Sequence, residues 1–220
     1  MSRRATLGEL VAVYGLLLAI VWEAGPPAGR APAVAKGLGI AVAAIVALSW
    51  WRNGVTLYAL GLAPSRWGRG WATAIGVSLL GALALVAGGI ALGSAAIDAS
   101  RFAWLGDYAL GIVGQQLLLQ GFFAPGIARL ASGLGPGRRD AVAIGAAAVA
   151  FAGLHAPNPA LMAGVLCAGA FWLALFHRDH NLPAVLASHF LLGSAAMASL
   201  GPGPLLHLRV GAGALELLFR

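Results

Sequence analysis

The chain has 220 residues, of which 60% are hydrophobic and 10% are charged, and its formal net charge is +7 at pH 7. Soluble domains average about 45–50% apolar and about 25% charged residues, so this composition excludes an ordinary soluble globule. A mean hydropathy of +0.86 predicts instead that most of the chain lies in a lipid bilayer. Basic residues then mark the cytoplasmic loops, and no nucleic-acid partner is expected.

Seven apolar segments follow one another along the chain. They cover residues 7–22, 34–51, 71–92, 104–130, 141–155, 160–176 and 184–200. The stretch 52–70 is too rich in Gly, Pro and Arg to span and is predicted to lie at the membrane interface, and the last 20 residues are too short and Gly-rich to span. We therefore predict an all-α polytopic membrane bundle of about seven transmembrane helices, forming a single integral domain over residues 1–220.

The distribution of basic residues predicts the orientation of the bundle. The first segment starts like a signal peptide, but no small-x-small cleavage site follows it, so it is interpreted as an uncleaved first helix. One set of loops holds Arg3, Arg4, Arg52, Arg66, Arg69, Arg129, Arg138, Arg139 and Arg178. Because positive loops face the cytoplasm, we expect a multi-pass protein of the cell membrane with a cytoplasmic N-terminus.

Three groups of residues, each containing an amide, imidazole or hydroxyl side chain, lie within the predicted helices. They are Gln115, Gln116 and Gln120 in the fourth helix, Phe151 with His155 at the end of the fifth, and Ser188 with His189 in the seventh. Polar side chains at membrane depth are candidate functional residues. They also occur simply as hydrogen-bonding contacts between helices, and this alternative stays open. The carboxylates fall at or near predicted helix ends or in loops.

The order and spacing of these groups resemble the motifs of the CPBP family, also called Abi or CAAX-protease-like. This family consists of intramembrane proteases and includes type II CAAX prenyl endopeptidases. The family motif Glu-Glu-x-x-x-Arg aligns with residues 115–120. Phe-x-x-x-His is matched by Phe151 and His155, and His-x-x-x-Asn aligns with His189 and Gly193. The likeness covers about residues 55–200.

The resemblance implies an intramembrane endopeptidase that cleaves membrane-anchored or prenylated peptides, with its site between the fourth, fifth and seventh helices. By resemblance, five residues occupy catalytic positions and two occupy substrate-binding positions. The catalytic set is Gln115, Gln116, Gln120, His155 and His189, and the substrate-binding set is Phe151 and Gly193. In the family, a motif glutamate acts as the general base on water, and the histidines orient water or stabilise the oxyanion.

This chain departs from the family pattern at the residues that carry charge. Gln115 and Gln116 replace the two glutamates, and an amide has no proton to exchange near neutral pH. Gln120 replaces the arginine, and Gly193 replaces the polar residue of the third motif. The departures favour a pseudoprotease, in which the same cavity binds a membrane peptide or lipid as a scaffold or immunity protein.

Other functions stay open from the sequence alone. His155 or His189 can titrate near neutrality, so either could replace the missing base of an active endopeptidase. A small-solute transporter is a weaker alternative, because no internal repeat is visible. No cofactor is expected: two histidines can ligate zinc, but a catalytic zinc site normally has three protein ligands. The predicted partners are the bilayer and a membrane-anchored peptide or protein.

Overall fold

The computed structural model describes residues 2–23, 32–95, 105–201 and 203–219, and over these ranges the chain is helical with no strand. The helices are α1 (Arg3–Glu23), α2 (Pro32–Arg52), α3 (Trp71–Ala91), α4 (Leu105–Leu118), α5 (Ala124–Leu130), α6 (Pro136–Gly153), α7 (Pro159–Asp179), α8 (Leu182–Leu200) and α9 (Gly211–Leu218). A π-helical turn, Leu119–Phe123, joins α4 to α5. The all-α fold class is confirmed.

Six helical segments of the described chain are long and apolar enough to cross a membrane. They are α1, α2, α3, the continuous α4–α5 unit, α7 and α8. The fifth predicted segment corresponds to α6, which is not among them. Its 18 residues begin with Arg138, Arg139 and Asp140 close together in the first turns, which makes the helix too charged for its length. Length and composition therefore support six spans, where the sequence predicted about seven.

The helices pack side by side around a common core, and α3 runs parallel to α8, with Ser78 bonded to Ser188 nearer their starts and Gly89 against Ser199 at their ends. Helix α3 lies along α8, α6 lies along α7, and α1 contacts α2, α5 and α9. The core between them contains Val13, Phe122, Phe151, Trp172 and Val185, all of which are buried. Because these residues come from five different elements, the centre of the bundle brings together α1, the π-helical turn, α6, α7 and α8.

Asparagine caps fix where α7 and α8 begin. The Asn158 side chain accepts a hydrogen bond from Leu161 N, and the Asn181 side chain accepts one from Ala184 N, each at 3.1 Å. A proline follows each asparagine within two residues, where its missing N–H is harmless. The caps set the start of α8 and therefore the height at which His189 enters the bundle.

The π-helical turn interrupts the α4–α5 unit at the end of the predicted motif 115–120. All five of its residues are buried. The indole nitrogen of Trp50 donates a hydrogen bond to the Gly121 carbonyl at 2.8 Å, and a Cβ at Gly121 would lie 2.7 Å from Leu60. Such turns interrupt regular helical bonding and often occur at functional sites. Here the turn includes Gln120.

Several carboxylates of the described chain bond at one end of the bundle, where α1 and α6 begin and α2 and α7 end. Glu9 accepts a hydrogen bond from Ser49 at 2.7 Å and pairs with Arg52. Asp140 pairs with Arg139 at 3.0 Å and lies 3.4 Å from His177 Nε2. Asp179 pairs with Arg178 at 2.6 Å. These acids are therefore engaged in ion pairs at the end of the bundle.

Candidate functional site

Three of the predicted site residues form one buried hydrogen-bonded chain. Gln120 Nε2 donates to Gln116 Oε1 at 3.1 Å, and Gln116 Nε2 lies 2.9 Å from His189 Nδ1. The exposed fractions of Gln116, Gln120 and His189 are 0%, 3% and 6%. An amide nitrogen can only donate, so His189 Nδ1 accepts, and a neutral His189 carries its proton on Nε2.

His189 is held in place by aromatic and hydroxyl neighbours. The Trp172 indole stacks on the imidazole with ring centroids 4.0 Å apart and an interplanar angle of 24°. The indole nitrogen donates to Ser188 Oγ at 2.9 Å, and Ser188 Oγ lies 2.7 Å from Ser78 Oγ on α3. The Tyr108 ring meets the imidazole edge to face at 6.3 Å. These contacts leave His189 little freedom to reorient.

His155 lies in the turn just after α6 and makes a different contact. Its Nδ1 is 2.8 Å from the Phe151 carbonyl oxygen. A carbonyl oxygen only accepts, so Nδ1 carries the proton and donates. In the neutral imidazole, Nε2 is then a hydrogen-bond acceptor. The two histidines therefore present opposite ring nitrogens as acceptors: Nδ1 in His189 and Nε2 in His155.

Phe151 lies between the two histidines. Its ring meets His155 edge to face at 5.0 Å and His189 edge to face at 6.4 Å. The ring is buried, with 5% of its surface exposed. The motif residues therefore form two neighbouring groups joined at Phe151, with His189 in one and His155 in the other.

The second group opens onto a cavity of about 220 Å³, which we call the Gln115 cavity. Its polar lining consists of Tyr14, Gln115 and His155, and its apolar lining includes Leu17, Ile20, Phe123, Phe151, Leu154 and Val210. Gln115 and Gln116 are successive residues, about 100° apart around the helix axis. This rotation directs Gln115 to the cavity and Gln116 to the buried chain. Among the described lining residues none is a carboxylate.

Gln120 also lines a second cavity, of about 330 Å³, at the charged end of the bundle. Asp140, His177 and His180 are among its other lining residues. Burial lowers the pKa of His180, and the nearby charges of Arg66 and His177 lower it further. The buried amide chain thus extends from His189 to the edge of this charged cavity.

Gly193, a predicted substrate-binding residue, lies against Tyr108. A Cβ at position 193 would overlap the Tyr108 hydroxyl and would lie 2.7 Å from the ring carbon Cζ. The phenol of Tyr108 therefore occupies the space that the Cβ atom of any residue other than glycine at position 193 would need. Sequence patterns did not indicate this pairing, because Tyr108 belongs to none of the three motifs.

The part of the chain that the structure describes contains no group of three or more His, Cys, Asp or Glu side chains that could hold a metal ion. His155 and His189 are not joined by a third ligand of these types there. The arrangement offers hydrogen-bond donors and acceptors on neutral groups, in apolar surroundings.

Besides Tyr108, two further aromatic residues at the site were missed from the sequence. Tyr14 lines the Gln115 cavity from α1, and Trp172 stacks on His189 from α7. The available signal was weak: each carries one polar atom within an otherwise apolar span, which in membrane helices usually finds a partner. Neither lies in a recognisable motif.

Replacing Gln116 by leucine is expected to destabilise the fold. The change removes the partners of both His189 Nδ1 and the Gln120 amide, and unsatisfied buried polar groups cost about 1–3 kcal/mol. The free energy of unfolding, measured by SDS titration in mixed micelles, tests this. The matched control is Gln115→Leu, which removes the same amide from the cavity wall. Equal stability of the two variants would contradict the buried chain.

Residues 97–194 match the family described as type II CAAX prenyl endopeptidase Rce1-like. Comparison with curated proteins and with solved structures gave no match. The matched range contains all the motif residues from Gln115 to Gly193. It leaves α1, α2, α3 and the C-terminal segment outside.

Proposed function

We propose that this chain, whose residues 97–194 match the type II CAAX prenyl endopeptidase Rce1-like family, is a CAAX-protease-type membrane protein that binds a membrane-anchored peptide in the Gln115 cavity without hydrolysing it. The proposal rests on one observation. The cavity wall carries an amide at the position where the family motif has a carboxylate, and no carboxylate is among its described lining residues.

A general base must accept a proton from water and later return it, and a carboxylate or imidazole can do both. Gln115 cannot, because its amide does not titrate near neutral pH. Glu9, Asp140 and Asp179 are engaged in ion pairs at the charged end of the bundle and do not line the cavity. Their positions support a site that holds a peptide but lacks the carboxylate that would activate water.

The same groups are well suited to binding a peptide group. Gln115 can both donate and accept hydrogen bonds, and His155 Nε2 accepts. Aliphatic and aromatic side chains surround them, and apolar pockets with a few placed polar groups are typical of ligand sites. A peptide attached to an apolar anchor matches this combination of polar and apolar surface.

One observation favours a second candidate, an active endopeptidase. His155 lines the cavity with its Nε2 as acceptor, and an imidazole can take a proton from water. In that case His155 replaces the family's glutamate as base. The transporter interpretation has no comparable observation in the described residues.

The localisation belongs to the same proposal. The apolar helices and the family match both indicate an integral membrane protein. We propose that the membrane is the cell membrane. The end of the bundle that carries Arg3, Arg52, Arg139 and Arg178 is assigned to the cytoplasm, because positive loops favour that side. The N-terminus is then cytoplasmic.

A farnesylated, fluorescent CAAX peptide tests the function with the purified protein in detergent. We expect saturable binding by fluorescence anisotropy, and intact peptide by mass spectrometry after prolonged incubation. His155→Ala should weaken binding by about 3- to 10-fold, the loss of one hydrogen bond. The matched control is His177→Ala, because His177 lines the second cavity and is not among the lining residues of the Gln115 cavity.

The outcomes separate the two candidates. Cleavage by the wild-type protein that is lost in His155→Ala and kept in His177→Ala would replace the pseudoprotease proposal by the endopeptidase. Absence of saturable binding would refute both.

A further inference from the structure

A phenol from the N-terminal helix lies within the candidate site. Tyr14 is on α1, whereas the family match covers only residues 97–194. Its side chain lines the Gln115 cavity together with Gln115 and His155. Helix α1 contacts α5 and α9 as well as α2, so it forms one wall of the bundle at this point.

The Tyr14 hydroxyl is accommodated by a glycine. A Cβ at Gly153, the last residue of α6, would lie 2.5 Å from the hydroxyl oxygen, closer than real Cβ contacts allow, but 3.8 Å from the ring carbon Cζ, which is an ordinary contact. A Cβ at position 153 would therefore collide with the hydroxyl and not with the ring. Gly153 lies two residues before His155, and Tyr14 and His155 both line the Gln115 cavity.

The ring of Tyr14 is fixed while its hydroxyl remains available. The ring meets Phe123 edge to face, with centroids 6.2 Å apart. Within the described residues no hydrogen bond to the Tyr14 hydroxyl is found, although phenol hydroxyls in apolar surroundings usually have a partner. The hydroxyl is a neutral donor in a largely apolar cavity that His155, whose Nε2 accepts, also lines.

We propose that Tyr14 is a ligand-positioning residue, whose hydroxyl donates a hydrogen bond to a carbonyl oxygen of the peptide bound in the Gln115 cavity. The inference rests on the proposed peptide-binding function. A peptide group has one C=O and one N–H, and the cavity offers a donor in Tyr14 and an acceptor in His155. The binding site then extends beyond the matched segment to α1.

The first test examines whether the hydroxyl occupies this position. Gly153→Ala should lower the melting temperature by about 5 °C, because the new methyl group collides with the hydroxyl. Tyr14→Phe should restore it in the double variant, since the ring itself leaves room for the methyl group. A double variant as unstable as Gly153→Ala would overturn the assigned position.

The second test measures the hydrogen bond to the ligand. Tyr14→Phe should weaken binding of the farnesylated CAAX peptide by about 3- to 10-fold. A second peptide carries an alkene in place of the amide after the prenylated cysteine. Tyr14→Phe should change the affinity for this analogue by less than about 2-fold. Tyr58→Phe, in the loop between α2 and α3, is the matched control and should bind both peptides as the wild type does.

The results distinguish this inference from the proposed function. Wild-type affinity of Tyr14→Phe for the amide peptide overturns the role of Tyr14 and leaves peptide binding intact. Equal weakening for both peptides also overturns it, because the hydroxyl would then contribute only to packing. If the wild-type protein binds neither peptide, the proposed function itself fails, and this inference fails with it.

Discussion

Gln115→Glu is expected to give this protein measurable hydrolysis of a prenylated peptide, at least about 100-fold above the wild-type background. A positioned general base contributes about 10²–10⁴-fold to such reactions. Gln115 faces the cavity that also contains His155, so a carboxylate there would meet water and ligand together. The rate of product formation, followed by mass spectrometry with purified protein in detergent, is the measurement.

Gln116→Glu is the matched control, because it makes the same chemical change one residue away. Gln116 is fully buried and bonded to His189 and Gln120. A glutamate at 116 therefore has no access to the cavity, and no gain in hydrolysis is expected. Equal gains from both variants, or a gain from Gln116→Glu alone, would show that the wrong glutamine has been assigned to the ligand.

Gly193→Ala is expected to lower the free energy of unfolding by about 3 kcal/mol, the upper part of the range for inserting atoms into a packed core. The added Cβ would overlap the Tyr108 hydroxyl and press on the ring. Tyr108 also contacts His189 and Phe190 through its ring, so the phenol cannot move aside without disturbing them. Unfolding by SDS titration gives the value.

Removing the ring should relieve the collision. In a Tyr108→Ala background, Gly193→Ala is expected to cost less than about 1 kcal/mol, because the space that the methyl group needs has been vacated. A cost of about 3 kcal/mol in both backgrounds would contradict the close contact between Tyr108 and Gly193. Gly145→Ala, where a Cβ meets nothing within 4 Å, controls for the general effect of alanine in a helix.

The predictions for Gln115 and Gly193 both concern positions at which this chain differs from the motifs of the family that it resembles. The family's third motif has a polar residue where this chain has Gly193, and Tyr108 supplies a phenol in the adjoining space. In the alignment that the resemblance implies, residues 115–120 carry amides where the family has two carboxylates and an arginine, and Gln116 and Gln120 are hydrogen-bonded to each other. A buried arginine without its acidic partners would be strongly destabilising, so the replacements are consistent as a set.

The sequence alone determined the fold class, the approximate limits of the helices and the identity of the polar residues. Hydropathy works here because a helix in lipid must satisfy its backbone internally and expose apolar side chains, which are local requirements. The asparagines before α7 and α8 and the charged start of α6 are local signals too. The last of these explains why the sequence predicts seven apolar segments while six helices of the described residues are long and apolar enough to span.

Tertiary structure decided how the polar residues divide. Gln115 and Gln116 are adjacent residues of the same type, and the sequence does not show which of them meets a ligand. The packing of α4 against α1, α6 and α8 directs Gln115 to the cavity and Gln116 to His189. Tyr14 lies more than 130 residues from Gly153 in the chain, so no local pattern could have placed its hydroxyl beside the candidate site. The sequence specified a membrane bundle with amides and imidazoles, and the packing of distant helices determined which of them can reach a ligand.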